Sequence, residues 1–223
     1  MPIAGRRHAI LLDGGFVIKK IQAQTRTFPN ADTVARLASQ VCSATASADS
    51  DLLRAYFYHA RPATGEITNP LSAETLRLSG SKAARDHESL IDTLELKPDF
   101  AVRLGETTVN DWRIGHSAMQ VLMSKPRPIE AHDLIPNISQ KGVDLRIGLD
   151  LARLALRELV DTVIVVSGDS DLIPAFKFVR REGLRLVLAT LGHGVRRDLR
   201  AHADVVLDAS LDNLGIPSQP TPK

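Results

Sequence analysis

Residues 162–172 read TVIVVSGDSDL, a run of five β-branched residues followed by a polar segment with two aspartates. Continuous runs of this kind are typical of strands that are buried on both faces of a parallel sheet. Asp169 and Asp171 come directly after the run, and ligands of open parallel sheets bind beyond the carboxyl ends of the strands. The segment therefore predicts an α/β fold with a candidate site at this end of the strand.

Strand and helix patterns alternate along the rest of the chain. Short apolar or β-branched runs predict strands at 8–12, 51–58, 100–104, 162–166, 184–190 and 204–207. Apolar residues at i, i+3 and i+4 spacing predict helices at 31–46, 144–159 and 170–181. Pro174 fits the first turn of the last helix, and Gly183 is expected to end it. This alternation predicts a parallel sheet with helices on both faces.

The chain is predicted to form one domain over residues 1–214. Residues 60–99 are polar, with three prolines, and we interpret them as a long connection that contains a helix near 72–96. From residue 215 the sequence reads GIPSQPTPK, which is rich in proline and poor in apolar groups. This composition predicts a disordered tail over 215–223.

The composition is that of a soluble globular protein. Apolar residues make up 43% and charged residues 24% of the 223 residues. The one cysteine, Cys42, allows no internal disulfide and no thiolate zinc site, which fits a reducing cytoplasm. No apolar run is long enough to span a membrane, and the first one meets Asp13 too early for a signal peptide. A net charge of +2 would not by itself hold a polyanion.

A second aspartate follows another predicted strand. Residues 10–16 read ILLDGGF, so that Asp13 ends an apolar run in the same way as Asp169 and Asp171. If the two strands are neighbours, the three carboxylates lie close together and repel one another unless a cation sits between them. Oxygen ligands of this kind suit Mg²⁺ or Mn²⁺. An Asp-Gly pair is also a common turn, and Asp171 alone is equally well explained as a helix cap.

A fourth carboxylate, Asp144, begins the longest predicted amphipathic helix. Polar side chains at this position point toward the crevice, although a capping role for Asp144 is the alternative. Asp150 lies six residues further on, about 120° round the helix, and is left out of the site. We predict that the apolar face of this helix consists of Leu145, Leu149, Ala152, Ala155, Leu156 and Leu159.

These segments together resemble the NYN domain, a branch of the PIN-like nucleases, and within it the LabA-like proteins. KGVDLRIGLDLARLA at 141–155, followed by TVIVVSGDSDLIPAFKFVRREGLRL at 162–186, carries the resemblance. AILLDGGF at 9–16 is similar to the first strand of the family and its leading aspartate, and RRDLRAHADVVLDA at 196–209 to its last helix and strand. The middle region, 60–135, matches only loosely. Many members have an asparagine shortly after the first aspartate, whereas Gly15 and Phe16 stand here.

The resemblance implies a three-layer α/β/α sandwich with a mainly parallel sheet in the strand order 3-2-1-4-5. It also implies cleavage of RNA that depends on Mg²⁺ or Mn²⁺. The catalytic and metal-binding residues would be Asp13, Asp144, Asp169 and Asp171. A homodimer is a further expectation, since PIN-like domains often pair.

Six polar residues near these segments are candidates for contacts with the substrate. We expect phosphate or water contacts from Lys141, Ser167 and Ser170, with loop hydrogen bonding or solvation as the stronger alternative. Arginine matches phosphate in a bidentate way, so Arg196, Arg197 and Arg200 are candidates for gripping a nucleic-acid backbone. A solvated helix face is the alternative for these three. The histidines lack metal-binding spacing, and we interpret His59, His116 and His193 as surface or loop residues.

Three other classes of protein were weighed against a nuclease. A dinucleotide site is disfavoured, because the first strand lacks the G-x-G-x-x-G spacing and Asp13 would face the pyrophosphate. A phosphatase with an aspartyl nucleophile usually carries a second aspartate two residues on, where Gly15 stands. A regulatory or nucleic-acid-binding module that keeps the fold without catalysis is the alternative that stays open. Intact carboxylates count against it, because an acidic cluster without a cation is destabilising.

Overall fold

The computed structural model describes residues 6–218, and these residues contain a seven-stranded sheet and a two-stranded one. The strands are β1 (Arg6–Asp13), β2 (Ser50–Ala60), β3 (Glu66–Thr68), β4 (Thr75–Arg77), β5 (Phe100–Ile114), β6 (Leu134–Lys141), β7 (Thr162–Val166), β8 (Arg185–Ala189) and β9 (Val205–Leu207). The helices are α1 (Gly14–Thr25), α2 (Ala31–Thr45), α3 (Lys82–Glu95), α4 (His116–Ser124), α5 (Val143–Leu156), α6 (Ile173–Arg181) and α7 (Arg197–Ala201).

The central sheet has the order β6-β5-β2-β1-β7-β8-β9. Neighbouring strands are parallel except for β5 and β6. The predicted order 3-2-1-4-5 corresponds to β5-β2-β1-β7-β8, and the sheet differs from it by one further strand at each edge. The predicted α/β class with helices on both faces is confirmed. β1 and β7 are direct neighbours, as the clustering of their aspartates requires.

Two apolar layers lie on opposite faces of the sheet. In β1 the side chains of Ile10 and Leu12 join a core with α1, α2 and α3, whereas Ala9 and Leu11 join a core with α5 and α6. All four residues are fully buried. Alternate side chains of a strand point to opposite faces, so a run that is apolar throughout fills both layers.

The chain between β2 and β7 holds more regular structure than predicted. The helix expected near 72–96 begins only at Lys82, because β4 and a turn occupy the residues before it. The strand expected at 100–104 continues to Ile114 and pairs with β6, which was not predicted. The helix α1 was also missed, since its first two residues are glycines, which are poor helix formers.

The predicted apolar face of α5 is largely wrong. Leu145, Leu149 and Leu156 are 65%, 60% and 63% exposed. The helix instead buries Val143, Ile147, Leu151, Leu154 and Ala155. The predicted and the observed set both follow a helical spacing. The set that contains Val143 and Ile147 is the one that packs against the sheet.

The C-terminal segment packs on the domain as far as it is described. Ile216 is buried in the same core as Ile10, and the Ser218 backbone N–H donates to Asp212 at 3.0 Å. The predicted tail therefore does not begin at Gly215, and residues 219–223 of that prediction lie outside the described residues. Among the helices described, none has the length and apolar character that a membrane span requires.

His59 is buried at the end of β2, so its interpretation as a surface or loop residue was wrong. Its side chain is 2% exposed, and neither ring nitrogen has a hydrogen-bond partner in the described part of the chain. Burial, and to a smaller extent the neighbouring His87, lowers its pKa from 6.5 to about 4. Between these two pH values the unfolded chain binds a proton that the folded protein excludes. The free energy of unfolding should therefore fall by roughly 3 kcal/mol as the pH drops through this window.

Urea denaturation between pH 4.5 and 7.5 measures this effect. We expect His59→Leu to flatten the pH dependence of the free energy of unfolding, because it removes the buried group that cannot accept a proton. His116→Gln replaces an exposed histidine of α4 and should keep the wild-type slope. Identical slopes for wild type and His59→Leu would show that the buried imidazole is not the cause.

Candidate active site

The candidate site begins where β1 and β7 end side by side. These strands pair in parallel with Leu12 opposite Val166, so Asp13 and Ser167 follow as neighbours. The Ser167 hydroxyl donates to Asp13 Oδ2 at 2.9 Å and accepts from the Asp169 backbone N–H at 3.1 Å. Ser167 therefore ties the two aspartates to each other.

Asp13 also begins helix α1. Its Oδ1 accepts the Phe16 backbone N–H at 3.1 Å, which is the hydrogen bond of a helix N-cap. Asp-Gly-Gly is thus the start of a helix and not only a turn. Phe16 holds one oxygen of the Asp13 carboxylate and Ser167 holds the other. The carboxylate therefore has a fixed orientation at the carboxyl end of β1.

The structure shows which of Asp169 and Asp171 acts as a cap. Asp169 Oδ1 accepts the Asp171 backbone N–H at 2.9 Å and caps the short 3-10 turn over residues 170–172. Asp171 lies inside that turn, is exposed, and does not cap the helix that follows. The capping interpretation of Asp171 is therefore wrong, and its carboxylate is available at the surface.

Asp144 does not cap its helix either. Helix α5 begins at Val143 after Gly142, which has φ +74° and takes the cap position without a side-chain hydrogen bond. Glycine adopts this left-handed conformation at little cost, so the chain can turn sharply from β6 into α5. Asp144 lies in the first turn of α5 with an exposed side chain.

The four predicted carboxylates are close enough to act on one another. Burial is the largest cause that raises the pKa of Asp13; hydrogen bonds from Phe16 and Ser167 oppose it, and the charge of Asp169 adds to it. Burial also raises the pKa of Asp144, followed by the charges of Asp169, Asp13 and Asp171. No lysine or arginine is among the groups that shift either pKa. The structure therefore gathers Asp13, Asp144, Asp169 and Asp171 into one acidic cluster.

The cluster is an open one. Within residues 6–218 no group of three or more Asp, Glu, His or Cys side chains is arranged so that together they could hold a metal ion. Asp13 and Asp169 already accept protein hydrogen bonds, whereas Asp144 and Asp171 face solvent. Mg²⁺ keeps several waters and binds through one or two carboxylates, so the donor set fits a hydrated ion of this type. It does not fit a soft metal, which prefers sulfur ligands.

The six residues that were predicted to contact the substrate differ in burial and in their partners. Ser167 is 0% exposed and holds Asp13, so the prediction that it contacts phosphate is wrong. Arg200 Nη1 is paired with Asp208 Oδ2 at 2.9 Å. The remaining four are exposed or partly exposed, at the end of β6, in the 3-10 turn after β7 and at the start of α7: Lys141, Ser170, Arg196 and Arg197.

Two groups near the cluster were not predicted. Tyr58 lies opposite Asp13 in the sheet, and its hydroxyl donates to Asp150 Oδ2 at 2.9 Å. Arg103 Nε donates to the same oxygen at 3.1 Å, so Asp150 has its own partners and stays outside the cluster as expected. The second group is the ring of His193, which lies against the loop that carries Asp169. Sequence spacing gives no signal for either, because both depend on contacts between distant segments.

Comparison with known proteins bears on the fold and the family. A mainly parallel sheet flanked by helices is consistent with the three-layer sandwich of the PIN-like class. Residues 107–212 match the family model of the NYN domain, so this segment is assigned to that family, which is PIN-like and of nuclease type. Asp144, Asp169 and Asp171 lie inside the matched residues, and Asp13 lies before them.

One solved structure shares the fold over nearly the whole chain. It is a protein of unknown function from Vibrio parahaemolyticus, 18% identical, with a TM-score of 0.52. The similarity covers 96% of this chain and 98% of that one. None of the curated proteins matches the sequence significantly.

Proposed function

We propose that the protein is a metal-dependent nuclease that hydrolyses phosphodiester bonds, with RNA as the substrate. One observation carries the proposal: β1 and β7 end side by side, and the nearby carboxylates add to burial, the largest cause, in raising the pKa of Asp13 and of Asp144. No basic side chain contributes to these two shifts. Such a cluster is unfavourable unless a cation joins it. A divalent metal ion would supply this positive charge and could also bind a phosphate of the nucleic acid.

The carboxylates have distinct tasks in this proposal. Asp13 and Asp169 would hold Mg²⁺ or Mn²⁺ against the sheet, because Ser167 and the first turns of α1 and the 3-10 turn fix their orientation. Asp144 and Asp171 are exposed and would complete the site from the solvent side. A bound ion of this type lowers the pKa of water and stabilises the charge that develops on a phosphate. No side chain need act as a covalent nucleophile.

The exposed basic groups fit a nucleic-acid partner. The overall charge is weak, but Lys141 ends β6 shortly before Asp144, and Arg196 and Arg197 lie at the start of α7, all three with exposed side chains. Two arginines side by side can contact phosphates in a bidentate way. RNA as the substrate and a homodimer stay predictions that follow from the resemblance, and the cytoplasm as the location stays a prediction from the cysteine content.

The proposal is tested with labelled single-stranded RNA, a structured RNA and single-stranded DNA, each with Mn²⁺, Mg²⁺ or EDTA. We expect cleavage that requires the metal and that Asp169→Asn reduces by on the order of 10²-fold or more, as when one group that stabilises a transition state is lost. Asp49→Asn is the matched control, because Asp49 is exposed just before β2, at the amino-terminal ends of the parallel strands and thus opposite the cluster. Equal cleavage by wild type and Asp169→Asn would indicate a contaminating nuclease and contradict the proposal.

A non-catalytic nucleic-acid-binding module is the second candidate. The open arrangement of the carboxylates favours it, because the side chains do not converge on a metal position by themselves. In the same assay this candidate predicts no cleavage of any substrate, together with binding of nucleic acid that does not depend on Asp169.

A further inference from the structure

Two rings lie together beside the acidic cluster. The ring centroids of Phe16 and His193 are 5.8 Å apart, with an angle of 58° between the ring planes. A Cβ atom at Gly168 would lie 3.0 Å from His193 Cδ2 and 3.0 Å from Phe16 Cε2. The missing side chain of Gly168 therefore lets both rings lie against the loop that carries Asp169.

The turn before His193 is held from several sides. Leu191 has a φ of +53° although it is not glycine, and its side chain is buried in the core. Gly192 has a φ of +69°, and a Cβ there would lie 3.3 Å from Ser210 Cα. The His193 backbone N–H donates to the Thr190 carbonyl at 2.9 Å. An unfavourable backbone of this kind persists only where the surroundings fix it, so the exposed His193 ring has a defined place.

Basic residues accompany the two rings in space or along the chain. Lys20 Nζ lies 5.9 Å from the centroid of the Phe16 ring. Arg196 follows three residues after His193, and Arg197 begins helix α7. In the described part of the chain Lys20, Arg196 and Arg197 form no ion pair with a carboxylate. A ligand that combines a flat ring with negative charge matches this combination of groups.

We propose that His193, with Phe16 packed against its ring, forms a base-binding subsite in which one unpaired nucleobase stacks on the exposed His193 ring, next to the phosphate held at the acidic cluster. This proposal rests on the proposed nuclease function and gives a physical reason why the substrate would be single-stranded. Aromatic side chains stack on any base whose face is free, with little dependence on sequence. A base inside a duplex has both faces covered, so the subsite selects single-stranded nucleic acid.

Binding in EDTA tests the subsite separately from cleavage. The probe is a fluorescent single-stranded RNA of eight nucleotides, used intact and with one abasic position moved along the chain. We expect His193→Ala to raise the Kd for the intact RNA about tenfold, which is within the usual contribution of one stacked base. His193→Phe keeps a ring and should bind within about threefold of wild type. His116→Ala, an exposed histidine on α4, is the matched control and should bind as wild type.

One abasic position should reproduce the loss, and His193→Ala should add nothing at that position. The proposal is overturned if His193→Ala binds the intact RNA as wild type does, if it weakens every abasic RNA equally, or if wild type binds no single-stranded RNA. If wild type and His193→Ala cleave single-stranded and structured RNA at the same rates, the base-binding subsite is contradicted, but the nuclease function is not. If no cleavage depends on Asp169, but binding still depends on His193 and on one abasic position, the nuclease function is contradicted and the base-binding subsite stands.

Discussion

Asp13→Asn is expected to raise the thermal stability of the metal-free protein while it abolishes metal-dependent cleavage. Burial and the charge of Asp169 raise the pKa of Asp13, so the ionised carboxylate costs folding free energy at neutral pH. That cost is present above the folded pKa and disappears as the pH falls toward the unfolded value. Asparagine removes the charge, while its oxygen still caps α1 through the Phe16 backbone N–H.

Thermal unfolding of wild type and Asp13→Asn in EDTA and in Mn²⁺ measures the stability change. Wild type should gain stability from Mn²⁺, since a ligand that binds only the folded state stabilises it. Asp13→Asn should have a higher melting temperature than wild type in EDTA, and Mn²⁺ should raise that temperature little. Its cleavage rate should fall by on the order of 10²-fold or more. Asp49→Asn should follow wild type in every respect. A variant that is less stable than wild type in EDTA would refute the view that Asp13 is held at an electrostatic cost.

Gly14→Ala is expected to destabilise the protein, and Gly15→Ala is not. A Cβ atom at Gly14 would lie 2.5 Å from the Tyr58 carbonyl oxygen and 2.8 Å from Phe57 Cζ. Backbone and a buried ring must then shift, which typically costs about 1–3 kcal/mol. At Gly15 the nearest atom is Asp13 Oδ1 at 3.5 Å, an ordinary contact. Alanine is a better helix former there, so we expect a gain of up to about 1 kcal/mol.

Urea denaturation of the two variants gives the free energies of unfolding directly. The pair is well matched, because both residues lie in the first turn of α1 and both changes add one methyl group. The close approach of Gly14 to β2 also positions Asp13, so Gly14→Ala should reduce cleavage as well. Equal stabilities for the two variants would mean that α1 does not pack against β2 as described.

The sequence is most informative where a pattern has one physical solution. Residues 9–12 of β1 and 163–166 of β7 are apolar at every position, and only a strand covered on both faces buries all of them. The aspartates that follow them had to meet once these strands were neighbours. Asp144 was placed correctly at the start of its helix, although the cap turned out to be Gly142.

Sequence patterns fail where tertiary contacts choose between solutions. Helix α5 carries two apolar sets, and only its packing on the sheet decides that Leu149 is exposed and Ile147 buried. Helix α1 starts with two glycines, which local propensity disfavours, but the close contact of Gly14 with β2 leaves no room for a side chain. His193 reaches the acidic cluster through a turn whose backbone is unfavourable in isolation. No spacing in the sequence indicates any of these three.

Calorimetric titration with Mn²⁺ tests the central claim most directly, because it measures the metal site without requiring the right substrate. Wild type and Asp49→Asn should bind Mn²⁺ saturably, and Asp169→Asn and Asp13→Asn should lose that binding. An absence of saturable binding to wild type, or equal binding to wild type and Asp169→Asn, would contradict the assignment of the strand-end carboxylates as a metal site.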